Sequence, residues 1–241
     1  MTAFGTFYGP NITPDPTYGI GSWSDADFLR ALREGIRADG AHLYPAFPYP
    51  SVTLMTDADI LDIKAYIFSL PPVAQQSREQ DLWFPASWRW LQTFWRWLNF
   101  TPDPYVPDTA KSAAWNRGAY VVQAMAHCGE CHTPRDFTGG VETSLALSGN
   151  ANGPDRMKIP NITPDKATGI GSWSHNQVVM FLQTGLLPNG DVAGSAMGEV
   201  IANGTSKMTD ADRQAVATYL ESLPPIANPD AKAVQAGSGF D

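Results

Sequence analysis

The sequence predicts an all-α chain built from two tandem copies of one loop-rich helical domain, the first copy incomplete. Two observations carry this. Hexamers recur in register: Pro10-Asn11-Ile12-Thr13-Pro14-Asp15 returns as Pro160 to Asp165, and Gly19-Ile20-Gly21-Ser22-Trp23-Ser24 returns as Gly169 to Ser174, both 150 residues on. Met55 to Asp59 then matches Met208 to Asp212, and Ser69-Leu70-Pro71-Pro72 matches Ser222 to Pro225, at an offset of 153, so the copies differ by three loop residues. The second observation is helical periodicity between a polar cap and a Pro-Pro stop. Thr209 or Asp210 can cap a helix with Val216, Tyr219, Leu220 and Leu223 on one stripe, and Thr56, Ile60, Ile63, Ile67 and Leu70 repeat the pattern before Pro71.

Taken in order, residues 1–73 form the incomplete copy: Phe4 to Tyr8 as a strand or loop, a short helix after Trp23-Ser24, and a terminal helix. Residues 74–112 form a Trp-rich linker holding five of the eight tryptophans. There Ser87 can cap a helix after Pro85, with Trp88, Leu91, Trp95 and Leu98 on one stripe and Trp90, Phe94 and Trp97 beside it. That surface is expected to pack as a core shared by the two copies, or in part to lie on a membrane or partner with Arg89 and Arg96 at its rim. Residues 113–226 form the complete copy, with an opening helix over about 113–127 running into Cys128, and 227–241 a flexible tail. Only nine residues precede Pro10, so the first copy lacks that opening helix and the chain reads as N-terminally truncated, without an export signal.

The net charge of −8 argues against nucleic acid and suits a neutral or cationic protein partner. No stretch reaches the roughly 18 apolar residues that span a bilayer. The two cysteines lie three residues apart, which excludes a disulfide framework between distant segments. They belong to Cys128-Gly129-Glu130-Cys131-His132, whose spacing matches the two vinyl groups of a haem, with the histidine following as an iron ligand. A zinc half-site would need a second Cys/His pair that the sequence does not contain. A dithiol redox pair would normally follow a strand in an α/β context.

A haem iron bound by His132 takes a sixth ligand, usually a thioether. Met180, Met197 and Met208 are the candidates. Met180 falls in a helix over Asn176 to Leu182 and reads as core; Met208 recurs as Met55 and suits a staple; Met197 lies in Gly194-Ser195-Ala196-Met197-Gly198, read as a flexible loop able to reach the iron, and is preferred over a core plug. His127, His175 and His42 read as satisfied surface or loop histidines. Asn161, Thr163, Trp173 and Ser174 are either turn chemistry or donors to a haem propionate.

Asn116-Arg117-Gly118-Ala119-Tyr120-Val121-Val122 leading to His127-Cys128-Gly129-Glu130-Cys131-His132-Thr133-Pro134-Arg135, the two Pro-Asn-Ile-Thr-Pro-Asp and Gly-Ile-Gly-Ser-Trp-Ser blocks, and His42-Leu43-Tyr44-Pro45-Ala46-Phe47-Pro48-Tyr49 resemble the multihaem cytochrome c subunits of bacterial membrane-bound alcohol, gluconate and related dehydrogenases. The resemblance implies two tandem cytochrome c-like domains, each with an attachment motif and a distal Met in a loop; His132 matches the first role and Met197 the second. The first copy lacks its cysteines, Phe47 stands where some relatives place Met, and no third haem domain follows Pro225, as in shorter diheme relatives. The expectation is one covalent haem c, with a second only in an untruncated form. The chain would be a periplasmic, membrane-associated electron-transfer subunit rather than an enzyme, partnered by a dehydrogenase catalytic subunit and a quinone or cytochrome acceptor. The rivals are a diheme-peroxidase-like haem enzyme, which needs a vacant distal face with acid/base groups nearby, and a non-redox adaptor, which leaves the motif unexplained.

Overall fold

The structure, a computed structural model, describes residues 4–153 and 157–231. It is mostly helical and divides into two compact units, Met1–Tyr105 and Val106–Asp241.

In the first unit β1 (Gly5–Thr6) is followed by α1 (Asp25–Glu34), α2 (Tyr49–Val52) and α3 (Asp57–Phe68); β2 (Asp81–Leu82) then returns antiparallel to β1 with Leu82 opposite Gly5, and α4 (Leu91–Asn99) ends the unit. Ser24 and Asp27 exchange hydrogen bonds at the start of α1, a capping box, and Gly35 ends it at φ 63°. A side chain at Gly35 would also meet the Tyr49 ring, 2.6 Å from where its Cβ would lie. Phe28, Ala31, Tyr49, Val52, Met55 and Ile60 form the buried core. Arg33 stitches its rim, donating to the Thr53 and Met55 carbonyls at 2.8 and 2.5 Å and pairing with Asp57.

The Trp-rich segment folds with the first unit. The Tyr105 N–H donates to the Leu54 carbonyl, and the Tyr49 ring meets Trp95 and Phe100 edge to face at 6.3 and 4.9 Å. Ser87 does not cap α4, which starts only at Leu91; residues 85–90 are tight turns, the Trp88 N–H bonding Pro85 and the Leu91 N–H bonding Trp88. Nor are most of the aromatics buried, Trp95 being half-buried against Tyr49. Trp83, Phe84, Trp88, Trp90, Phe94, Trp97 and Leu98 are all exposed, and the face of α4 turned inward carries Gln92.

In the second unit α5 (Ala113–Tyr120) passes into a π-helical turn over Val121–Met125 and then, after His127 at φ 37°, the one-turn α6 (Gly129–His132). The opening helix therefore stops being regular at Tyr120 and breaks before Cys128 instead of running straight into it. A short 3-10 turn (Thr143–Leu145) precedes α7 (His175–Thr184), α8 (Ser195–Asn203) and α9 (Asp210–Glu221), the last capped by Thr209. Helices α5 and α9 cross closely: a Cβ on Gly118 would sit 2.0 Å from the Ala215 carbonyl oxygen. Around the crossing Trp115 packs edge to face on Tyr219 and donates to Ser222 at 2.6 Å, while Arg117 grips Asp212 through two bonds.

The repeated motifs fold alike. In each copy the Asn side-chain oxygen (Asn11, Asn161) accepts from the N–H and hydroxyl of the Thr two residues on, and that hydroxyl accepts from the N–H of the residue after the Pro-Pro stop, Val73 or Ile226. The latch ties the turn to the end of the terminal helix. Of the predicted tail, Asn228 is bonded to Thr168 and Ala231 is buried, while Ala227, Pro229 and Asp230 are exposed; residues 232–241 lie outside the described residues.

Candidate functional site

The candidate site is the segment 128–133, and the surrounding backbone pins it. The π-turn supplies the Val122 carbonyl for the Cys128 N–H at 2.9 Å, and the Cys128 carbonyl accepts from the His132 N–H at 3.0 Å. Gly149 N–H donates to the His132 carbonyl at 2.7 Å, Leu147 N–H to the Thr133 hydroxyl at 3.0 Å, and Arg135 clamps both the carbonyl and the carboxylate of Glu130. Cys128 and Cys131 thus stand three residues apart on a fixed turn.

His132 Nδ1 lies 2.8 Å from the Pro160 carbonyl oxygen. A carbonyl only accepts, so the ring carries its proton on Nδ1 and keeps the lone pair on Nε2. Burial lowers the pKa of this ring, with the Pro160 bond opposing, so the imidazole is neutral at physiological pH, the form that ligates a metal. Burial pushes the Cys128 thiol up to about 12. Cys131 is exposed as a residue, yet desolvation at its sulfur, then the Glu130 charge, raise it too. Neither sulfur is the low-pKa thiolate of a dithiol redox pair. Among the described residues no group of three or more His, Cys, Asp or Glu side chains gathers to complete a zinc site.

The remaining candidates divide. Met197 sits in the first turn of α8, half-buried, not in a flexible loop; Ser195 starts that helix at φ 53° and donates to the Met157 sulfur at 3.2 Å. Met180 is 48% exposed, on the outer side of α7, and is not core. Met208 closes the 3-10 turn before α9, its carbonyl accepting from Arg213. Asn161 and Thr163 are fully buried with their polar atoms spent on Thr168, Ile226 and each other. The first unit uses Asn11 and Thr13 in the same latch without an attachment motif, so these residues lock a turn and present no donor to a ligand. Trp173 is half-buried, edge to face with Phe181 at 5.5 Å. His175 clips α7 to α9 through Glu221 and Gln214. His42 departs from a satisfied loop histidine: its Nδ1 is buried without a partner. Sequence reasoning missed Pro160, because it read that block as turn chemistry or as side-chain donors to a propionate; the signal was a carbonyl that proline's fixed backbone could aim at the ring.

Crossed terminal helices around a Cys-x-x-Cys-His turn, its histidine neutral and oriented from behind, are the features of a c-type cytochrome unit. No family model matches the chain. It is 40% identical to a diheme cytochrome c-type protein of Cereibacter sphaeroides over 225 residues, 93% of this chain and 74% of that protein. It is 41% identical to the cytochrome c subunit of an alcohol dehydrogenase (quinone) of Gluconacetobacter polyoxogenes, over 92% of this chain and 49% of the relative. It is 43% identical to the fructose dehydrogenase cytochrome subunit of Gluconobacter japonicus, over 91% of this chain and 45% of the relative. The chain thus spans about half the length of these two dehydrogenase subunits. The chain belongs to this family of diheme and dehydrogenase-subunit c-type cytochromes, electron-transfer components rather than catalytic ones, whose cofactor is haem c.

Proposed function

We propose that the second unit holds one covalent haem c and relays single electrons from a dehydrogenase catalytic subunit to a quinone or cytochrome acceptor on the periplasmic side of a membrane. Cys128 and Cys131 would hold the group through thioethers, His132 Nε2 and Met197 would ligate its iron, and Trp173 would donate to a propionate. The haem supplies a one-electron iron couple. The chain's own work is to orient His132 through Pro160, keep its imidazole neutral, and fix both sulfurs on one turn. The single observation that carries the reading is the His132 Nδ1 to Pro160 contact of 2.8 Å, which leaves Nε2 as the ligating atom.

The test is export of the chain to an oxidising compartment with haem-attachment machinery, followed by haem-stained denaturing electrophoresis, mass and spectrum. One haem, sharp low-spin bands in both oxidation states and no response to peroxide are expected; a mass gain of zero or two haems, or a peroxide-sensitive spectrum, overturns it. Met197→Ala should remove the sulfur-to-iron charge-transfer band and lower the potential, and Met208→Ala should do neither; the reverse pattern moves the ligand to Met208.

The membrane association proposed here rests on the exposed aromatics of residues 83–98, since among the described residues no helix is long and apolar enough to cross a bilayer. Phe84, Trp88, Trp90 and Phe94 form a ladder with centroids 4.9, 5.8 and 5.7 Å apart, and Trp97 beyond it is 85% exposed. Such rings suit a lipid interface. Phe94→Ser with Trp97→Ser should weaken sedimentation with lipid vesicles and leave the haem spectrum and thermal midpoint nearly unchanged; lost stability with unchanged sedimentation would contradict it.

A further inference from the structure

The first unit contains a set of buried polar groups that electron transfer does not use. On the inward face of α4, Gln92 is 9% exposed and Arg96 follows one turn later. The Arg96 guanidinium lies 5.4 Å from the centroid of the Tyr49 ring and 5.0 Å from that of Phe100. Tyr49 is 0% exposed. Four buried atoms of this region lack a hydrogen-bond partner of good geometry: His42 Nδ1, Tyr49 Oη, Gln92 Oε1 and Arg96 Nη1, although the Arg96 guanidinium comes close enough to the Tyr49 oxygen to bond it weakly, leaving the phenol proton and Arg96 Nη1 unused. Arg30, Arg33, Arg37, Arg117, Arg135 and Arg213 each pair with a carboxylate, and among the described residues Arg96 pairs with none.

A buried polar atom left unpaired is costly, and more so when charged. Folded proteins hold few such atoms, and a group of four in one place points to something that satisfies them together. Water can serve a hydroxyl or an amide, but it does not neutralise a guanidinium drawn in among aromatic rings. The protonation states agree with each other. Burial pushes the Tyr49 phenol up to about 12, so it stays a donor, with the Arg96 charge and then an Arg96 hydrogen bond to the phenol oxygen pulling the other way. Burial, then the Arg96 charge, lower the His42 pKa, so its ring is neutral and offers Nδ1–H in one tautomer. Gln92 offers a donor once its amide oxygen and nitrogen are exchanged, a choice that hydrogen bonding to a ligand decides. These are up to four N–H and O–H donors around one positive charge, the complement of a group with two or more anionic oxygens.

We propose that His42, Tyr49, Gln92 and Arg96 form an oxyanion site beneath α4 that takes a carboxylate or phosphate group. It lies wholly in the first unit and does not depend on the haem reading. Arg96 supplies the charge, Tyr49 at the start of α2 and His42 in the loop before it supply neutral donors, and Gln92 closes the set one turn before Arg96 on α4.

The test is titration calorimetry of the haem-loaded chain with inorganic phosphate and with acetate, at constant ionic strength held by chloride. Saturable binding of at least one anion at millimolar concentration is expected; acetate alone marks a carboxylate site and phosphate alone a phosphate site. Arg96→Gln should weaken that binding at least tenfold and Tyr49→Phe severalfold, with unchanged haem content and helical circular dichroism. If Arg96→Gln does not fold, Tyr49→Phe and Gln92→Leu decide. Wild-type protein that binds neither anion beyond the chloride control, or only at molar concentration, overturns the proposal, as do variants that bind as the wild type does.

Discussion

His132 shows what a single residue discloses in sequence and what it hides. The motif declares the histidine, but the atom that fixes its tautomer is a main-chain carbonyl 28 residues later, which no side-chain pattern reveals. His175 makes the same point from the surface. Its place after Trp173-Ser174 marked it only as the start of a helix, yet its ring bridges α7 and α9. The Glu221 bond raises its pKa above the ordinary 6.5, with Gln214 adding to this. The folded state therefore holds the proton more tightly than the unfolded chain does. The resulting stability is fully present below pH 6.5 and is lost as pH rises through the raised folded-state value. Both side chains are more than a third exposed, 37% and 35%, so screening limits the contribution to about 0.5 kcal/mol. Between pH 6 and 8 the urea midpoint of the second unit should fall slightly more for wild type than for His175→Gln. Identical slopes would show that the clip carries no proton-linked stability.

Among the elements, the terminal helices were the most legible because cap, stripe and Pro-Pro stop agree; Thr56 and Thr209 cap them as the sequence indicates, each accepting from the N–H three residues on. Helix α4 was misread for a physical reason. Its aromatic stripe is the more apolar face and reads as a shared core or in part as a membrane or partner surface, whereas the buried side chain of the helix is Gln92, and Arg96 lies over the Tyr49 ring. Periodicity gives the pitch of a helix but does not say which side meets protein. The α5 and α9 crossing was equally invisible, since its determinant is the absence of a side chain at Gly118. Gly118→Ala would push a methyl into the Ala215 carbonyl at 2.0 Å, and the helices would have to part. A loss of about 2 kcal/mol or more is expected in the second unit, of the size that overpacking brings. Gly9→Ala, where no atom lies within 4 Å, should stay within about 0.5 kcal/mol of wild type. Equal effects of the two would mean that the crossing tolerates separation.

At the scale of the whole chain, the duplication seen in sequence is also a duplication of hydrogen bonds, down to the latch of Asn11 and Thr13 against that of Asn161 and Thr163. The two copies differ in what covers the terminal helix. In the second unit α5 lies across α9, and Tyr219 is 5% exposed beneath it. In the first unit α3 packs on α1, and among the described residues no helix crosses it as α5 crosses α9; Tyr66, the repeat counterpart of Tyr219, is 67% exposed, and Ile63 and Leu70 are exposed with it. A helix that buries one side only holds its backbone bonds with fewer packed neighbours and opens more readily. Exposed apolar side chains also contribute nothing to the roughly 25 cal/mol per Å² that burial yields. The amides of Ile63 to Phe68 should therefore exchange with solvent deuterium at least tenfold faster than those of Val216 to Glu221 in the same sample. A shared sample removes differences of pH and temperature, and dividing each rate by its intrinsic value removes the effect of local sequence. One haem held in the second unit, as proposed, would widen the gap by stabilising α9. Equal protection of the two helices, or slower exchange in α3, would show that the first unit is as well closed as the second.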